Sequence, residues 1–212
     1  MHPHLKQGPH HRRQFLQAGA ALGGMALPLA AWTGTQVEEQ LTHAVRTALS
    51  AAIAESAPPQ PVLSASEQAI YAQWLAASGQ RLSRWMPQDT ERQEFLQTLW
   101  YEARRAGLSL SLVLGLIETE SAFRKYAISS AGARGYMQVM PFWTRTIGDG
   151  DAGSLFHMQT NLRFGCVILR HLLDREKGDL FYGLGRYNGS RGQAAYPNAV
   201  LTAQRRWVHS VD

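Results

Sequence analysis

One cysteine, Cys166, serves the whole 212-residue chain, which excludes an internal disulfide and any zinc site built on several cysteines. In Phe164-Gly165-Cys166-Val167-Ile168 it reads as a small buried hydrophobe rather than a nucleophile. Strand patterning is missing as well, because no stretch alternates apolar and polar residues between turn signals. There is no internal repeat and no low-complexity segment. Charge of one sign is also scarce. Lys6, Arg12 and Arg13, with no acid, supply +3 of the +5 net charge within residues 1–32. The remaining 18 basic and 16 acidic residues are too balanced for a nucleic-acid-binding stripe.

The basic residues near the start precede an apolar run, Ala18 to Ala31, in the layout of an export signal. Arg12-Arg13-Gln14-Phe15-Leu16 resembles a twin-arginine signal, so residues 1–32 are expected to direct export to the periplasm. Three glycines and Pro28 make the run a poor membrane-spanning helix, and membrane contact is expected only through this signal. His2, His4, His10 and His11 belong to the leader and are not read as metal ligands.

The rest of the chain reads as helix and loop. Leu41, Val45, Leu49 and Ile53 recur at helical spacing within 38–54, and a Pro-rich linker near 57–61 follows. A second helix starts at Ser66 with Ile70, Trp74 and Leu75 on one face and stops at Pro87. A third, capped by Asp89 or Thr90, turns Phe95, Leu96, Leu99 and Trp100 inward and closes at Gly107. Ser109 caps a helix that is apolar at nearly every position from Leu110 to Ile117, which predicts burial on all sides. Further helices are expected over 142–147, 161–177 with Thr160 as cap, 179–187 and 197–208. The fold class is all-α: a main domain over 89–212 and a smaller helical region over 33–88. That smaller region carries no recognisable chemistry. It would brace the main domain or contact a cell-envelope protein complex, and the sequence leaves the choice open.

Candidate chemistry gathers where the apolar helix ends. Glu118 and Glu120 project about 200° apart at about 100° per residue, so they cannot face each other as a carboxylate pair. Glu118 reads as a solvated or ion-paired residue within reach of Arg124 or Lys125. Glu120 meets the turn beside Phe123, Met137 and Val139, where an apolar setting raises a carboxyl pKa. A carboxylic acid kept neutral near physiological pH is what protonation of a glycosidic oxygen requires. Gly132, Ala133 and Gly135 leave room for a ligand. Gln138 offers an amide, Met137 a soft apolar surface, and Tyr187 a phenol able to hydrogen-bond the acid. Taken alone, Met137-Gln138 reads more simply as core.

Three segments in order, Glu120-Ser121-Ala122-Phe123, then Ser129 with Gly132 to Pro141, and later Arg186-Tyr187-Asn188-Gly189, resemble the soluble-type lytic transglycosylases, relatives of goose-type lysozyme. The resemblance covers roughly 90–208 and includes Asn161 to Gly165 and Leu169 to Leu173. It implies a lysozyme-like helical fold and Glu120 as the single catalytic acid and base. Ser129, Met137, Gln138 and Tyr187 would line the glycan groove, with Asn188 supporting that wall. It further implies peptidoglycan strands as substrate, cut between N-acetylmuramic acid and N-acetylglucosamine to leave a 1,6-anhydro end, with no cofactor and no metal. Arg124-Lys125 stands where many members have Asn-Pro, and Tyr136 where Leu is usual; both bear on loop shape and groove contacts. Two alternatives remain: a hydrolase using Asp149 or Asp151 to position water, and a peptidoglycan-binding scaffold without activity.

Overall fold

The computed structural model describes Met1, residues 36–55 and residues 63–208. The expected export signal, Met1 apart, and the Pro-rich linker lie outside the described residues. Among these there are eight α-helices and one 3-10 turn, and the only β pairing is two isolated bridges, Ile128 with Arg134 and Arg134 with Val139. The all-α expectation is met. No helix among the described residues is long and apolar enough to cross a membrane.

Helix α1 (His43–Ala54) is capped by Thr42, whose hydroxyl accepts from the Val45 N–H. In α2 (Ala65–Leu82), Ser64 and Glu67 form a reciprocal capping box, which satisfies two of the backbone donors that every helix start leaves open. Trp74, Ser78 and Leu82 are its buried face, one turn apart; Ile70, expected inward, is exposed, while Tyr71 beside it packs edge-on to Trp100 at 5.0 Å. Helix α3 (Asp89–Arg105) buries Phe95, Leu96, Leu99 and Trp100 as its periodicity predicts. Gly107 follows at a φ of 63°, a conformation cheap only for glycine.

Helix α4 (Leu110–Ser121) is buried at every position from Leu110 to Ile117. Short helix α5 (Phe142–Ile147), a 3-10 turn (Ala152–Phe156) and the long α6 (Met158–Arg175) follow. The N-cap of α6 is His157 rather than Thr160, because the helix begins three residues before the predicted start and encloses Thr160. Helices α7 (Leu180–Asn188) and α8 (Ala195–Arg205) complete the chain.

The described residues 36–55 and 63–208 belong to one compact unit. Helix α2 packs on α3, and α1 packs on α5 and α6. A buried polar cluster fastens α1. Glu102, wholly enclosed, accepts from Arg163 at 3.1 Å, from Arg105 at 3.2 Å and from the Gln159 amide. The same two arginines donate to carbonyls in the last turn of α1, Arg105 to Ala52 at 2.8 Å and Arg163 to Ile53 at 3.2 Å. Those carbonyls have no partner within their own helix, so two cations at its C-terminal end answer both the open acceptors and the helix dipole.

Candidate active site

Glu120 sits in the last turn of α4, and two consecutive non-glycine residues in the left-handed region, Ala122 (φ 48°) and Phe123 (φ 59°), then swing the chain away. Such backbone is held only where its surroundings fix it. Phe123 is buried among Trp85, Phe95 and Trp207, with ring centroids 5.0–5.9 Å away. The Ser121 hydroxyl donates to the Tyr136 carbonyl at 2.7 Å, tying the helix end to the Gly-rich loop.

That loop is pinned from below by Asn161 of α6. Its amide donates to the carbonyls of Arg134 and Leu155 and its oxygen accepts from the Met137 N–H, all within 2.8–2.9 Å. A Cβ on Gly135 would fall 2.3 Å from the Asn161 amide nitrogen. Glycine is needed there for space as well as for its positive φ of 75°.

Glu120 is joined by a residue the sequence reading did not single out. The Tyr196 hydroxyl donates to Glu120 Oε1 at 2.5 Å. Gly115 makes this possible: a Cβ there would lie 2.5 Å from the Gln204 backbone nitrogen, so α8 crosses α4 backbone against backbone. From its start α8 presents Tyr196 to Glu120; just past its end, Arg206 and the Trp207 indole both donate to Glu118 at 2.7 Å. The expected ion pair of Glu118 with Arg124 or Lys125 is thus replaced by one with Arg206, and Arg124 instead donates to the Ser121 carbonyl. The two acids diverge as their spacing predicts.

Burial pushes the Glu120 carboxyl up to about 7, and the Tyr196 hydrogen bond only partly offsets this by favouring the carboxylate. The acid is therefore neutral over the acidic range and changes protonation state near neutrality.

The remaining predicted site residues have varied placements. Tyr187 is fully buried near Glu120, but its hydroxyl donates to the Met137 carbonyl at 2.7 Å, and Tyr196 takes the place at the acid foreseen for it. Met137 is fully enclosed; a Cβ on Gly165 would lie 2.3 Å from its sulfur, so its side chain is core beneath the loop rather than groove surface. Gln138, buried with a φ of 49°, spends its amide on the carbonyls of Gly135 (2.9 Å) and Ala127 (3.2 Å). Asn188 is buried and accepts from the Ser190 hydroxyl at 2.9 Å. Ser129 is partly buried and its hydroxyl accepts from the Ala133 N–H at 3.1 Å, while Tyr126 and Ile128 on the same loop stand exposed. Asp149 accepts from the Asp151 N–H and Asp151 from the Gly153 N–H, so both carboxylates close a surface turn.

With this geometry, the sequence pattern of the Transglycosylase SLT domain matches residues 98–207. The chain belongs to that family. Residues of this chain are 36% identical over 97 positions to membrane-bound lytic murein transglycosylase C of Actinobacillus pleuropneumoniae serotype 5b, covering 41% of this chain and 26% of that protein. They are 30% identical over 115 positions to the transglycosylase of Enterobacteria phage PRD1, covering 51% of this chain and 42% of the phage protein. Among solved structures, an inactive mutant of lytic transglycosylase Slt from Pseudomonas aeruginosa aligns with a TM-score of 0.43 at 23% identity, over 68% of this chain and 28% of that one. The chain thus spans between a quarter and less than half of the length of these curated relatives. The SLT match covers α4 to α8 and the second half of α3, the elements that build the Glu120 site.

Proposed function

We propose that the chain is a lytic transglycosylase of peptidoglycan, exported to the bacterial cell envelope, with Glu120 as its single acid and base. The observation that carries this reading is the partly buried Glu120 carboxyl at the end of α4, hydrogen-bonded by the Tyr196 phenol and pushed up to about 7 by burial. A neutral Glu120 protonates the oxygen of the bond between N-acetylmuramic acid and N-acetylglucosamine, and the bond from muramic C1 to that oxygen breaks. Most glycosidases meet the positive charge at C1 with a second carboxylate. Here Glu118 is committed to Arg206 and Trp207, and the substrate's own acetamido group is left to assist. Glu120, now ionised, takes the proton of the muramic C6 hydroxyl as that oxygen bonds to C1, giving a 1,6-anhydro ring without consuming water. Attack from within the same sugar has the high effective concentration that makes it faster than capture of solvent.

Tyr196 steadies the carboxylate half of this cycle. Ser129 contributes to the groove, while Gln138, Asn188, Tyr187 and the buried Met137 shape its wall from behind. A hydrolase reading would require Asp149 or Asp151 to hold water, and each engages one carboxylate oxygen with a turn N–H group in an exposed turn. The test is mass spectrometry of muropeptides released from purified peptidoglycan by the chain and by Glu120→Gln. Products lighter by one water than reducing-end forms, absent with the variant, support the proposal. Reducing-end products overturn it in favour of hydrolysis, and binding without cleavage by either protein overturns it in favour of a scaffold.

A further inference from the structure

The stretch that leads into α1 lies against the site. Gln36 precedes every described helix, yet its side chain is buried. Its carbonyl oxygen accepts from the Trp143 indole N–H at 2.9 Å and from the Met140 backbone N–H at 3.3 Å. The nitrogen of the same amide is enclosed beside the Tyr187 hydroxyl without completing a well-formed hydrogen bond, and Tyr187 in turn adjoins Glu120. Downstream, Glu39 is held between Arg175 and Arg186. A cavity of about 80 Å³ remains beneath the stretch, against Trp143, Leu172 and Gly189.

The chemistry of this arrangement is that of an amide receptor. Two donors, one indole and one main-chain, converge on a carbonyl oxygen, with a phenol oxygen placed to accept from the nitrogen. The acetamido group of an N-acetylated sugar has the same planar carbonyl and N–H. The present occupant fits imperfectly: its nitrogen lacks a full partner, the residues between Gln36 and α1 have no regular structure, and the ion pairs of Glu39 are partly exposed and so hold weakly. We propose that Gln36 fills an acetamido pocket of the glycan groove in the resting chain, and that residues 36–41 are a strap that an N-acetylated glycan displaces. This rests on the reading of the Glu120 site as glycan-cleaving. The strap lowers apparent affinity by the fraction of time it is docked, since a ligand binds only the open form.

The test measures binding apart from cleavage. In full-length chains carrying Glu120→Gln, a β-1,4-linked tetramer of N-acetylglucosamine and its fully de-N-acetylated counterpart are titrated calorimetrically, with and without Gln36→Ala. The expected result is about tenfold tighter binding of the acetylated tetramer with Gln36→Ala and no change for the de-acetylated one, which corresponds to a strap docked about nine-tenths of the time. Glu39→Gln, which leaves the amide in place and loosens only the ion pairs, should tighten the same ligand about twofold. Unchanged or weaker binding in a folded Gln36→Ala chain overturns the proposal; should that variant not fold, a Glu39→Gln chain without tightening does so. Cleavage of peptidoglycan by the unmutated chain with affinities unmoved by either change sinks the strap and leaves the transglycosylase. Tighter acetamido binding in a chain that never cleaves does the reverse.

Discussion

Two acids of this chain are withdrawn from water and are treated in opposite ways. Glu102, in the middle of α3, is enclosed completely and receives two guanidiniums and an amide. Glu120, at the end of α4, keeps some contact with solvent and receives one phenol. A carboxylate surrounded by cations serves as a joint, here between α1 and the body of the domain. A carboxyl desolvated without a cation is free to change charge state at a useful pH, and burial has moved Glu120 to about 7 for that purpose. Depth of burial does not mark the working acid. The number and charge of the groups facing it do.

The largest effect should come from breaking the joint. Glu102→Ala leaves Arg105 and Arg163 largely buried, with side chains 15% and 11% exposed, and without their shared counter-ion. Removing one member of such a cluster costs about 3–5 kcal/mol, because the remaining charges stay desolvated. Urea unfolding at neutral pH would measure it, and a loss below about 1 kcal/mol would show that the arginines find water instead.

The working acid should respond with the opposite sign. Its folded pKa lies above the ordinary carboxyl value of 4.5, so the folded chain holds the proton more tightly than the unfolded chain does. The stability this gives is fully present below about 4.5 and is lost as pH rises through about 7. Glu120→Gln does not titrate. Its stability relative to the unmutated chain should therefore climb by about 2–3 kcal/mol between pH 4 and pH 8. A difference that stays flat with pH would mean that Glu120 ionises as an ordinary surface acid.

The contrast between these acids was only half legible in the sequence. Glu120 announced itself, because an apolar helix ending in Glu-Ser before a Gly-rich turn is unusual and its partner motifs follow in order. Helices whose apolar spacing is regular, α3 and α4 above all, could be read directly. Glu102 could not be read, since on a helix carrying Glu91, Glu94 and Arg104 a further acid reads as solvated surface. Its arginine partner Arg163 lies 61 positions away, and only the packing of α3 on α6 unites them. Tyr196 escaped for a similar reason: it stands in no motif, and starting the last helix at Pro197 left it in a loop. The signal present was Gly115, a glycine amid a run of large apolar residues, which marks the close approach of another backbone. Met137 shows the limit of motif reasoning: the residue sits where the resemblance puts it in sequence, but Gly165 admits its side chain into the core.

The finest test of the comparison is Tyr196→Phe, which removes the hydroxyl that donates to Glu120 while keeping the ring. The hydroxyl holds the Glu120 pKa below where burial alone would put it, because it hydrogen-bonds the charged form. Its loss should raise that pKa by about half to one unit, given about 1 kcal/mol for a single hydrogen bond of this kind. The alkaline limb of the cleavage rate, where the acid form runs out, should move to higher pH by the same amount. At the same time the rate at the optimum should fall severalfold, because the carboxylate that must take up the C6 proton is no longer held in one orientation. A rate loss with an unmoved limb would make Tyr196 a packing residue only, and Glu120 would then owe its placement to α4 alone.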